Sequence, residues 1–252
     1  MLMMNQVLGF GANVAAGGSL ATVDAVFAYR NIDYLAKAAD FTGNANSKAG
    51  IFSGWFKIAG SSGVDQFILC SENRRVQVLR NSSNKFQILC PKSGGSTILD
   101  ISSTTSYTYI PYSWVHLLAS WDLATSTSHL YINSISNKTA TTVTNDTIQY
   151  VDPDGWRVGA QGITFDNGFY GGQAEIYFAP GQYLDFSVQA NREKFILTGK
   201  PVNLGADGST PTGVAPIMYL KSTAASYGTN SGSGGNLTVT GAYSISTTSP
   251  SD

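Results

Sequence analysis

The most regularly patterned stretch of the chain is Trp114–Asn133, WVHLLASWDLATSTSHLYIN. Val115, Leu117 and Ala119 alternate with His116, Leu118 and Ser120. Past an Asp/Thr/Ser turn, Leu130 and Ile132 alternate with Tyr131. A period of two is the signature of strands, so the stretch predicts a hairpin inside a sheet. Trp114 and Trp121 are seven positions apart and fall on opposite faces, which predicts a strand covered on both sides.

The same alternation runs through Ala49–Ile58, AGIFSGWFKI. Ile51, Ser53, Trp55 and Lys57 take one face and Phe52, Gly54, Phe56 and Ile58 the other; the second reads as the core face, leaving Trp55 partly covered. A meander over 66–71, 74–80 and 85–90 follows, turning at Arg74-Arg75 and at Asn81–Asn84, where Asn and Ser bond their own backbone. Residues 134–147 are polar, Asp152-Pro153-Asp154-Gly155 has the residues of a type I turn, and Trp156–Ala160 is a short strand. In Phe169–Pro180, Ala174, Ile176 and Phe178 oppose Glu175, Tyr177 and Ala179. A helix of two to three turns is expected next, capped by Asp185 or Ser187, carrying Glu193–Phe195 and stopping before Gly199-Lys200-Pro201. These elements predict an all-β sandwich of two antiparallel sheets with one short helix.

Composition narrows the function classes. The 252 residues are 42% hydrophobic and only 12% charged, with a formal net charge of −1. A chain of this length buries about three quarters of its unfolded surface, enough for one large β domain. No basic field is available to hold a phosphate backbone, so nucleic acid is excluded as a partner. No run of eighteen apolar residues predicts a membrane span, and the opening MLMMNQVLGFGAN lacks the charged and apolar regions of a secretory signal. Residues 1–33, rich in Gly and Ala, read as an arm that packs on a neighbouring subunit or as a loose first strand. The folded domain is expected over 34–222, and a Gly/Ser/Thr-rich tail over 223–252.

Cys70 and Cys90 fall on strands of the meander separated by a third, roughly 9–10 Å apart, which is too far for a disulfide. Two free buried thiols are therefore expected rather than a bridge, and no nearby His or Cys completes a metal site. Tyr107, Tyr109 and Tyr112 approach Trp114. With Trp55 they offer aromatic faces for stacking on a sugar, or they form the rim of the core.

An ordered set of motifs resembles a known fold family. Ser53-Gly54-Trp55-Phe56, then Trp114-Val115-His116 with Ser120-Trp121-Asp122, Leu130-Tyr131-Ile132-Asn133, Arg157-Val158-Gly159-Ala160 and Gly171–Tyr177 resemble the laminin-G-like jelly roll of the concanavalin A-like lectin/glucanase superfamily. The match covers roughly 34–199; Ser134 stands where the family has Gly, and Leu117 where it has a second His. The stretches Gly199–Leu204, Gly205–Gly213, Ala215–Leu220, Tyr227–Asn230 and Gly234–Gly241 are similar to the end of laminin-G-like structural proteins of tailed bacteriophages. That resemblance implies a non-enzymatic virion component of tail, fibre or head surface, bound to copies of itself and to other virion proteins. The alternative is a carbohydrate-binding protein that recognises a host surface glycan, and a third reading is a glycan depolymerase.

Lectins of this architecture often assemble Asp and Asn around calcium, which takes six to eight oxygen ligands. Asp152, Asp154, Asp166 and Asn167 are the residues available, although turn chemistry explains all four without an ion. Glucanases of the superfamily place paired carboxyls on one strand face, about 5–5.5 Å apart in the retaining mechanism. Glu175 has only Gln173 and Tyr177 at its i±2 positions, and His116 and His129, expected to face each other across the hairpin, have no nucleophile elbow beside them. No catalytic residue and no resident metal are assigned.

Overall fold

The computed structural model describes residues 18–60, 63–109, 113–162, 167–221 and 223–252; the expectations for residues 1–17, Tyr112 and Asp166 lie outside the described residues. In chain order the strands begin with β1 (Val26–Ala28), β2 (Tyr34–Lys37), β3 (Ala49–Ile58), β4 (Gln66–Ser71), β5 (Gln77–Arg80) and β6 (Phe86–Pro91). They continue with β7 (Thr97–Ser103), β8 (Val115–Asp122), β9 (Thr127–Ile132), β10 (Ile135–Ser136), β11 (Lys138–Val143), β12 (Trp156–Val158) and β13 (Gly171–Pro180). After helix α1 (Gln189–Arg192) come β14 (Ile196–Leu197), β15 (Lys200–Pro201), β16 (Met218–Leu220), β17 (Thr238–Thr240) and β18 (Ser244–Ile245).

Two antiparallel sheets of eight strands face each other. The front sheet runs β10-β9-β8-β3-β13-β1-β18, with β16 also paired to β13; the back sheet runs β11-β7-β6-β5-β4-β12-β2-β17. Apolar positions of both sheets meet between them: Phe52, Phe56, Leu117, Trp121, Ile176 and Phe178 from the front, Leu69, Val78, Ile88, Ile101, Trp156 and Val158 from the back. The hairpin that the alternation predicts is β8–β9, in register from Leu117 opposite Ile132 to Asp122 opposite Thr127. Trp121 sits at the core's centre. Its indole Nε1 donates to the Tyr150 hydroxyl at 2.7 Å, which donates to the Ala49 carbonyl at 2.8 Å. Gly50 lies flat against that indole, where a Cβ would come within 2.4 Å of a ring carbon.

The front sheet is also covered on its outer face, making a third layer. Ile51, Leu118, Tyr177 and Tyr219 pack there under Phe186, Phe195 and Leu204, and Trp55 and Ala174 pack under Val23, Ala25 and Ile196. This corrects the expectation for Trp55, which is only 3% exposed and lies 4.6 Å from the His116 ring. The segments that cover it come from 21–25 and 196, which the alternation within β3 does not reveal.

Covering that face also shortens the helix. α1 is a single turn whose N-cap, Val188, makes no side-chain cap bond. Asp185 Oδ1 instead accepts from Ser187 N and Oγ at 2.8 and 2.6 Å, closing a turn before the helix. Phe195 and Ile196 are drawn under the sheet, so the chain leaves helical geometry and turns back as β14–β15.

The boundaries expected at 34 and 222 do not coincide with breaks in the sheets. β1 pairs with β13 and β18, and β17 pairs with β2, so residues on both sides of the central stretch complete the two sheets. Cys70 and Cys90 are free and buried on opposite faces of the back sheet, Cys90 in the inter-sheet core and Cys70 beside Phe67 and Leu79. Burial pushes the Cys70 thiol up to about 12 and raises that of Cys90 as well. No helix among the described residues is long and apolar enough to cross a membrane.

Candidate functional site

The described members of the expected aromatic shelf differ in exposure. Trp55 is enclosed, Tyr107 packs its ring 5.3 Å from Phe86 at the edge of the core, and Tyr109 is 60% exposed. Of the calcium candidates, Asp152 and Asp154 stand together and Asn167 apart from them. Asp152 is buried with both oxygens engaged, Oδ2 accepting from Asn73 N and Oδ1 from Asn73 Nδ2 and Asp154 N, and Asp154 Oδ2 accepts from the same Asn73 amide. Asn167 lies at the other end of β4, where its carbonyl accepts from Phe67 N, its Oδ1 from Arg30 and its Nδ2 donates to Gln161. Among the described residues no group of three His, Cys, Asp or Glu side chains is placed to hold a metal. The two histidines do not face each other either. His129 is opposite Ser120 and is held by Tyr183 and Asp185, while His116 Nε2 is 2.8 Å from Ser53 Oγ in the covered layer.

Aromatic faces do converge at the other end of the front sheet. Phe27 on β1, Tyr29 just beyond it and Tyr170 just before β13 pack with ring centroids 5.2, 5.5 and 6.1 Å apart. Tyr29 is 46% exposed. The turn that carries it is tied down: Ile32 and Asp33 donate their amides to the Tyr29 carbonyl, the Asp33 carboxylate accepts from Tyr29 N and Ala242 N, and Asn31 adopts a left-handed conformation. Beside the rings runs a groove of about 240 Å³ lined by Phe27, Tyr29, Lys57 and residues Ser244 to Thr247. Asn31 Oδ1 accepts from Gly168 N, and Arg30 reaches Asn167, which ties the turn to the loop before β13. A half-exposed aromatic cluster beside hydroxyl groups can stack on the apolar face of a sugar ring while hydrogen-bonding its edge. The pattern Phe27-Ala28-Tyr29, alternating and followed by the turn residues Asn31 and Asp33, is the sequence signal for it, hidden by the Gly-rich context of residues 1–33.

A second concavity lies in the middle of the sheet. The first half of β13 pairs with β1, the second half with β16, and the register against β3 shifts between Ala174 and Tyr177. Glu175 sits in that gap with φ +51°, a left-handed residue at the centre of a strand, and the bulge places it on the outer face beside Ala174. Strict alternation, which puts Ala174 opposite Glu175, fails at this point. A cleft of about 290 Å³ opens over the gap, lined by Glu175, Tyr219, Lys221, Asn203, Gly205, Asp24 and residues 20–23. A second carboxyl therefore does share a cleft with Glu175, contributed by Asp24 rather than by β13.

No protein-family model and no curated protein matches the sequence. Among solved structures the chain is similar to a candidate carbohydrate binding protein from Bacteroides ovatus, with a TM-score of 0.61 and 13% identity, over 90% of this chain and 60% of that one. It is also similar to domains LG4-5 of the mouse laminin alpha1 chain (TM-score 0.40, 16% identity, 66% of this chain and 43% of that one). A SAP-like pentraxin from Limulus polyphemus gives a TM-score of 0.38 at 13% identity, over 65% of this chain and 82% of that one. The chain thus spans about 60% of the length of the Bacteroides ovatus protein. The likeness to the Bacteroides ovatus protein is one of fold, an all-β sandwich of two large antiparallel sheets.

Proposed function

We propose that this laminin-G-like jelly roll is a carbohydrate-recognition domain, and that the Phe27–Tyr29–Tyr170 cluster is its contact surface. The observation that carries the reading is the half-exposed Tyr29 ring, held by a hydrogen-bonded turn beside a groove of serine, threonine and lysine side chains. Pre-ordered aromatic faces lose little entropy on binding, which suits weak ligands whose affinity comes from stacking and a few hydrogen bonds. The carbohydrate-binding description of the Bacteroides ovatus neighbour points the same way. Binding is expected without hydrolysis. A glycan array probed with the purified chain is expected to give a restricted set of hits, reduced about tenfold or more in Tyr29→Ala. An array on which Tyr29→Ala and the parent chain give the same signals rejects the site.

A second reading, assembly within a virion, draws on the exposed outer edge of the sheets. β10 is exposed along its length and β11 along most of it, with Ile135 at 69%. Free edges and exposed apolar side chains suit association with neighbouring subunits. That reading expects the chain in many copies in purified phage particles, and its absence from them rejects it.

A further inference from the structure

We propose that the cleft over Glu175 is a separate binding site for a ligand carrying a primary ammonium group, such as an amino sugar. The geometry of the gap in the sheet leads to this. Val26 is opposite Gln173 and Leu220 opposite Ile176, so the chain continuing from each strand end brings Asp24 and Lys221 to the position of Glu175. Two carboxyls and one ammonium thus converge on one cleft. The Lys221 ammonium lines the same cleft but donates to the carbonyls of Ala206 at 2.8 Å and Gly205 at 3.4 Å rather than to a carboxyl. Opposite the bulge on β3, Ser53 and Trp55 bring no charge. Asp24 is exposed and forms no ion pair within 4.0 Å among the described residues.

Glu175 is only 6% exposed, and its one hydrogen bond among the described residues is from the Tyr219 hydroxyl to Oε2 at 2.5 Å. Burial, reinforced by Asp24, raises its carboxyl to about 7, against the opposing pull of the Tyr219 hydrogen bond and of Lys221. Among the described residues no ammonium lies within 4.0 Å of the Glu175 carboxyl, so the charge of Lys221 acts on it only from a distance. An ammonium entering the cleft donates to Glu175 and Asp24, and the Glu175 proton leaves to solvent as the ion pair forms. A neutral sugar offers hydroxyls but no charge, so it gains little from these carboxyls.

Isothermal titration of the full chain with glucosamine and with N-acetylglucosamine separates the two cases, since the sugars differ in the charge at one nitrogen. Between pH 6 and 7, where the glucosamine amine is charged and Glu175 still holds its proton, glucosamine is expected to bind at least about tenfold more tightly and to release protons, seen as heat that depends on the buffer. Glu175→Gln is expected to lose the proton release and about tenfold in affinity, and Asp24→Asn, at an exposed position, to weaken binding while leaving the fold intact. Tyr29→Ala is expected to leave the proton release on glucosamine binding unchanged, which separates this site from the glycan surface. Equal affinity for the two sugars, no detectable glucosamine binding, or proton release that persists in a folded Glu175→Gln variant overturns the proposal.

Discussion

At the scale of single residues, two buried polar groups set the terms of stability. Glu175 has a carboxyl raised from 4.5 to about 7 by burial. The folded chain then holds the proton more tightly than the unfolded chain, so this group's contribution is most favourable below about 4.5. It is lost as pH rises through about 7. The full shift corresponds to a loss of about 3 kcal/mol. Glu175→Gln keeps an oxygen to accept from Tyr219 but carries no charge, so its stability relative to the parent chain is expected to improve by about 1–3 kcal/mol between pH 5 and pH 8, read from urea midpoints. A constant difference across that range contradicts the placement of the carboxyl. Tyr150 makes a complementary case. Its hydroxyl links the buried Trp121 indole to the Ala49 carbonyl, and Tyr150→Phe leaves both without that partner. A loss of about 1–3 kcal/mol with an unchanged denaturant slope is expected; a change near zero shows that the bridge does not contribute.

At the scale of elements, what could be read from the sequence tracks the length and regularity of each strand. β3, β6, β8 and β9 are six residues or longer and alternate, so their faces were legible in advance, whereas β4 has a register shift between Phe67 and Leu69 that puts the adjacent Ile68 and Leu69 in one core. β1 and β18, three and two residues long, have no measurable period, and their pairing depends on partners far along the chain. The outer covering of the front sheet was hidden for the same reason. It is assembled from irregular segments around Val23, Phe186, Phe195 and Leu204, whose apolar residues show no common spacing. The proposed sites follow this division: Tyr29 and Asp24 flank β1, while Tyr107 and Trp55, chosen as aromatic faces, are packing residues. Residues 244–252 test the role of these short elements. They pair with β1 and donate Ser246 N to the Ala25 carbonyl, and Thr248 Oγ1 accepts from the Trp114 indole and the Lys57 ammonium. Deleting them is expected to lower stability by about 2 kcal/mol or more, to shift Trp114 emission to longer wavelength and to remove one wall of the groove beside Tyr29. Unchanged emission and stability contradict their integration in the fold.

At the scale of the whole molecule, three layers share one sheet. The centre of the front sheet is buried on both faces, by the back sheet on one side and by residues 21–25 and 184–204 on the other. Two of its openings are the cleft where β1 and β16 meet over Glu175 and the rim where Tyr29 and Tyr170 stand beside β18. Recognition at a rim suits an extended glycan, which can run past the domain without entering it. The most direct measurement is a crystal structure of the chain soaked with the strongest glycan-array ligand. A sugar ring stacked on Tyr29, with its hydroxyls in the groove formed by Ser244 to Thr247, is the predicted result. A sugar bound elsewhere, with the Phe27–Tyr29–Tyr170 cluster bare, contradicts it.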